Sequence, residues 1–177
     1  MKLRHLFFAC SGVFVMMFSL LLLVVIVFSD EEDGGSGGNL IYGGVSVSQE
    51  VLAHKPMLEK YAKEYGIEEY LNVLLAIIQV ESGGTLEDVM QSSESLGLPP
   101  NSLSTEESIK QGCKYFSELL AAAETKGCDL NSVIQSYNYG GGFLDYVAGH
   151  WKTYTFELAE SFARDKSGGK KVTYTTP

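Results

Sequence analysis

From Leu6 to Phe28 the chain runs for twenty-three residues without a charge, and nearly all of them are apolar. At about 1.5 Å rise per residue a helix over this stretch is about 34 Å long, enough to cross a hydrocarbon core of roughly 30 Å. Such a run cannot be the surface of a water-soluble domain, so it sets the organisation of everything after it. Lys2, Arg4 and His5 precede it, and Ser29, Asp30, Glu31, Glu32 and Asp33 follow. Basic residues at the start predict a cytoplasmic N-terminus and an exported remainder. The run is longer than a typical signal-peptide core, and no clear small-x-small site follows it, which favours an uncleaved signal-anchor over residues 1–28. Phe8-Ala9-Cys10 has the ending of a lipoprotein signal, but too few apolar residues precede Cys10 to make one.

Residues 29–47 open with Asp30-Glu31-Glu32-Asp33-Gly34-Gly35-Ser36-Gly37-Gly38, the composition of a flexible tether. A single domain is expected over 48–166, long enough for one core. Residues 167–177 are expected to trail as a loose tail. Of thirteen Lys and Arg, Lys2 and Arg4 precede the apolar run, which leaves eleven against twenty-two Asp and Glu. That balance argues against nucleic acid and against anionic lipid head groups as the main partner. A neutral or mixed-charge polymer fits better.

The domain reads as all-α, with no stretch alternating at period two. Ser48 caps a first helix towards Tyr65, and Pro56 within it predicts a kink or two shorter helices. Glu68–Val80 forms a second helix, apolar on most sides. A short helical turn is expected over Glu87–Met90. Ser104-Thr105-Glu106-Glu107 is a capping box opening a long helix to about Lys126, stopped by Gly127. Asp129 caps a helix to about Tyr139, Gly140-Gly141-Gly142 ends it, and helices over Phe143–Ala148 and Thr155–Asp165 follow. Cys113 shares helical spacing with Ile109, Phe116, Leu120 and Ala123, so it reads as core. About 20 Å of helix would separate it from Cys128, whereas a disulfide needs Cα atoms within about 7 Å. Both thiols are expected to be free.

The second helix ends in Glu81, ahead of Ser82-Gly83-Gly84. Apolar surroundings and the carbonyl end of a helix both disfavour a charged carboxylate there. A glutamate that keeps its proton near neutral pH suits general acid catalysis. An exposed helix-end acid with no task is the alternative, and the helix alone does not decide between them.

Two more segments do. Asp88-Val89-Met90-Gln91-Ser92-Ser93-Glu94-Ser95 follows, and later Ser136-Tyr137-Asn138-Tyr139-Gly140-Gly141-Gly142. Together with Glu81-Ser82 they resemble the lysozyme-like superfamily of goose-type lysozymes and soluble lytic transglycosylases, and more narrowly the muramidase domain of the CwlT-type bifunctional cell-wall hydrolases. The resemblance spans about Val51 to Arg164. Those enzymes carry a second, peptidase domain where this sequence stops, and the apolar anchor is expected in its place.

The resemblance implies a lysozyme-like helical domain that cleaves the β-1,4 bond between N-acetylmuramic acid and N-acetylglucosamine. Glu81 would be the general acid, and Ser82 would hydrogen-bond near it or the sugar. Gln91 would bind a sugar substituent. Tyr137 and Asn138 would face the groove, with Tyr137 near Glu81; a core aromatic with Asn138 as helix cap is the alternative. A second carboxylate would orient water: Asp88 first, Glu94 second, with Glu87 a solvated side chain; a plain turn cap is the alternative for each. Lytic transglycosylation, which needs one acid, is the rival chemistry, and a non-catalytic wall-binding or division scaffold is the rival class. His150-Trp151 reads as a packed pair near the groove rim, with sugar stacking as its alternative. Three histidines, one at the cytoplasmic end, make no zinc motif, and no Gly-x-Ser-x-Gly elbow or phosphate loop is present. Neither cofactor nor metal is expected. The expected partners are peptidoglycan strands, the membrane through the N-terminal helix, and cell-wall or division machinery, with the domain outside the cytoplasm.

Overall fold

The computed structural model describes residues 40–42 and 45–167. The apolar run and most of the tether and tail lie outside them. Among the described residues no helix is long and apolar enough to cross a membrane.

Two short strands come first, β1 (Leu40–Tyr42) and β2 (Val45–Val47), antiparallel with Leu40 opposite Val47. They correct the expectation of a chain without strands, and they fall inside the segment expected to be a tether. Leu-Ile-Tyr and Val-Ser-Val flanking Gly43-Gly44 have the sequence form of a tight hairpin. The runs are too short for their alternation to stand out, but Val47 is fully buried while Ser46 is exposed.

Helices make up the remainder. α1 (Gln49–Ala53) and α2 (Lys55–Glu64) are separate, divided at His54, with Pro56 in the first turn of α2 where its missing N–H costs nothing. A 3-10 turn over Glu68–Tyr70 leads into α3 (Leu71–Glu81), whose residues 73–78 are all buried. α4 (Thr105–Lys126) opens on Ser104, whose N–H donates to the Glu107 carboxylate at 3.1 Å, and stops at Gly127 with φ +71°. α5 (Leu130–Tyr139), α6 (Gly142–Ala148) and α7 (Phe156–Lys166) complete the order.

The helical turn expected over Glu87–Met90 is absent. A 3-10 turn forms later, over Ser92–Leu96, because the Asp88 carboxylate accepts the amides of Ser92 and Ser93. The buried residues of α3 share the main core with Leu58, Ile109, Phe116 and Ile134. A second cluster joins α6 and α7 through Phe143, Val147, Ala159 and Phe162. The loop between those helices is tied to the start of α5, where Asp129 accepts the Tyr154 amide at 3.1 Å. His150 packs on Tyr146, ring centroids 4.4 Å apart, and meets Trp151 edge-on at 6.2 Å as the expected pair, but both side chains are exposed, Trp151 to 70%, so the pair stands on the surface.

Both described cysteines are free. Burial pushes the Cys113 thiol up to about 12, and raises Cys128 as well. A thiol reagent added to native protein is expected to modify half-buried Cys128 first and Cys113 only on unfolding. Mass spectrometry of the time course reads the order, and equal rates would place Cys113 outside the core.

Candidate active site

Glu81 is the last residue of α3. Its helix cannot continue because Gly83 and Gly84 both take left-handed conformations, φ +60° and +77°. The turn is fastened on several sides. The Ser82 hydroxyl donates to the Val89 carbonyl at 2.7 Å and accepts the Gly84 amide at 3.0 Å. His54 Nε2 lies 2.9 Å from the Gly84 carbonyl, and Ser48 N–H donates to Gln79 Oε1 at 2.7 Å. Ser82 therefore spends its hydroxyl on the loop backbone rather than on Glu81.

The Glu81 carboxyl is half-buried and its pKa is raised to about 7. Burial is the main cause, followed by the negative charges of Glu94 and Asp88. Sequence reasoning named the apolar surroundings but credited the helix end, not these two carboxylates.

Asp88 is completely buried. Its Oδ1 accepts the Ser92 amide at 3.0 Å and the Ser108 hydroxyl at 2.6 Å, and its Oδ2 accepts the Ser93 amide at 3.3 Å. The water-positioning task expected of Asp88 does not fit this geometry, since an enclosed carboxylate has no open face for a nucleophile. Glu94, two residues past Ser92, is exposed, and it acts on Glu81 more strongly than Asp88 does.

Gln91 has a left-handed backbone, φ +46°, unusual for a residue with a side chain. Its Nε2 donates to the Asp88 carbonyl at 2.7 Å and to Asn101 Oδ1 at 2.8 Å. Tyr137 is buried, packed on Tyr115 and Phe116, and its hydroxyl donates to the Met90 carbonyl at 3.0 Å. Burial raises its pKa well above the usual value, and the negative charge of Glu81 adds to the rise. Its burial leaves no open stacking face and fits the alternative of a core aromatic. Asn138 is buried beside it.

Two functional neighbours escaped the motifs. Gly112 in α4 leaves room for the site: a Cβ there would lie 2.5 Å from Met90 Sδ and 2.9 Å from the Tyr137 hydroxyl. Ser108, one turn earlier on the same face, holds Asp88. The signal was present, since a serine and a glycine four residues apart interrupt an otherwise apolar stripe. A cavity of about 520 Å³ lies elsewhere, between Tyr65, Tyr70, Leu120 and Leu130, with no member of this constellation in its lining.

A half-buried carboxyl that keeps its proton to about pH 7, beside an exposed carboxylate, can protonate a leaving oxygen and leave a second acid to serve water. Among the described residues no three His, Cys, Asp or Glu side chains are grouped to hold a metal.

Comparison with known proteins agrees with the motifs. The sequence profile described as Lysozyme-like matches residues 48–177. The bifunctional muramidase/DL-endopeptidase CwlT of Bacillus subtilis (strain 168) is 42% identical over 124 residues, covering 70% of this chain and 37% of that protein. An uncharacterized membrane protein of the same organism, YocA, is 38% identical over 130 residues, 73% of this chain and 58% of its own length. A crystal structure from Staphylococcus aureus subsp. aureus Mu50, described as similar to lipoprotein, NLP/P60 family, superposes with a TM-score of 0.72 at 73% identity, over 74% of this chain and 44% of that one. The chain thus spans between about a third and three fifths of the length of these relatives.

Proposed function

The chain belongs to the lysozyme-like family, and from that premise we propose that it is a peptidoglycan-cleaving muramidase of the cell envelope. Glu81 donates its proton to the glycosidic oxygen between N-acetylmuramic acid and N-acetylglucosamine. The bond to the muramyl C1 breaks as the leaving hydroxyl forms. The observation that carries the reading is the place of Glu81, half-buried at the end of the core helix α3, where burial and two like charges raise its pKa to about 7. Glu94, exposed and close enough to act on Glu81, takes the proton of the attacking water. Gln91 and Asn138 bind sugar substituents, Gln91 by exchanging its bond to Asn101. Ser82 and Tyr137 support the site through the backbone carbonyls they hold. The run Leu6–Phe28 anchors the domain, in keeping with a relative described as a membrane protein.

Enclosure of Asp88 favours one alternative, lytic transglycosylation, in which the muramyl 6-hydroxyl attacks and Glu81 alone serves. Digestion of purified peptidoglycan by the full chain separates the outcomes. Reducing muramic acid ends are expected, and Glu94→Gln should cut their release by about a hundredfold. Anhydro ends, with Glu94→Gln fully active, would select the transglycosylase. Absence of any soluble product would leave a non-catalytic wall-binding module.

A further inference from the structure

Asp88 is a buried charged group that the proposed reaction does not consume. What surrounds it is a closed circuit between the 88–93 segment and α4. Ser108 Oγ donates to Asp88 Oδ1 at 2.6 Å and accepts the Met90 amide at 3.0 Å, while the Ser108 carbonyl accepts the Ser92 hydroxyl at 2.9 Å. From α5, the Tyr137 hydroxyl takes the Met90 carbonyl. Both backbone polar groups of Met90 are therefore held by other elements. So is the amide of Ser92, through Asp88.

Gln91 lies between these two fixed points, in its left-handed conformation. A non-glycine residue stays there only where its neighbours over-determine the backbone. Released, it would relax to an ordinary region and redirect the chain at Ser92, carrying Glu94 with it.

We propose that Ser108, acting through Asp88, is a positioning residue that holds the left-handed backbone at Gln91 and so sets the placement of Gln91 and Glu94 against Glu81. This rests on the reading of Glu81 as the general acid.

The test uses the full chain with Ser108→Ala, and with Ser108→Thr, which keeps the hydroxyl. Ser108→Ala is expected to lower kcat on soluble glycan strands about a hundredfold, the scale of a 1 Å misplacement, and to raise KM as well, because Gln91 moves with the loop. Hydrogen exchange at the amides of Met90, Ser92 and Ser93 should speed up while that of Leu74 and Ile78 in α3 does not. Ser108→Thr should restore both readouts. If Ser108→Ala does not fold, Ser108→Cys, close in size but a poor acceptor, carries the same expectations. Wild-type kcat with fast exchange, or unchanged exchange at the three amides, would overturn the proposal. Glu81→Gln is assayed beside them. Should it retain full activity, the general-acid reading fails, and exchange alone decides the clamp: fast in Ser108→Ala and slow in Ser108→Thr supports it, equal in both overturns it.

Discussion

Glu81→Gln is expected to lower glycan cleavage by about a hundred- to ten-thousand-fold, the usual loss when a general acid is removed, while the protein stays folded. The amide matches the carboxyl in size and hydrogen bonding, but it has no proton of suitable acidity. The pH behaviour separates this from damage to the fold. In the native protein the carboxyl keeps its proton to about 7, against an ordinary value of 4.5 when unfolded. Between those values the native state binds more protons, so stability falls as pH rises from about 4.5 through about 7. Activity of the wild type should fall over the upper part of the same window, as the acid loses its proton. Glu81→Gln removes the group and its penalty. Its melting temperature should match the wild type at about pH 4.5 and exceed it above about pH 7. Thermal melts and rates across that range check both statements, and a variant with wild-type cleavage would sink the assignment.

Gly84→Ala should be the most destabilising single methyl addition in the turn behind Glu81. A Cβ at Gly84 would lie 2.7 Å from the Glu50 carbonyl carbon and the Val51 nitrogen, both backbone atoms of α1. Backbone cannot step aside as a side-chain tip can. The residue also has φ +77°, where alanine costs about 1–2 kcal/mol. Overpacking adds about 1–3 kcal/mol, so roughly 3 kcal/mol is expected in all, a fall in Tm on the order of 10 °C. Gly83→Ala is the control, since its φ is similar but its nearest neighbour atom is 3.9 Å away. It should lose only the conformational part. Equal melts for the two variants would mean that α1 does not pack against the turn as described.

The helices were legible because their determinants are local. Ser104 and Glu107, Asp129, Gly127 and the apolar stripe of α3 each act within a few residues. Glu81 was legible only in part from its helix, which left an exposed acid open, and the Met-Gln and Tyr-Asn segments were needed to single it out. The hairpin was missed because six strand residues give too little alternation, and the packing of β2 against α3 is not visible in its own sequence. Asp88 stayed open between two readings because a carboxylate beside Met-Gln reads the same whether it faces substrate or caps the next turn. The Ser92 and Ser93 amides and Ser108, twenty residues later, together decide which way it points. Tyr137 shows the same limit: the motif singles it out, but the carbonyl that occupies its hydroxyl comes from a distant segment.

Trp151 is the single tryptophan of the chain, and it stands 70% exposed on the loop after α6. That loop is tied to the first residues of α5, whereas Tyr137 and Asn138 lie near the other end of the same helix. The chain therefore carries a fluorophore already bathed in water in the native state. Its emission should be red-shifted before any denaturant is added, and unfolding of the α3 core should barely move it. The optical signal of folding falls instead to the tyrosines packed inside, Tyr61 and Tyr137 among them.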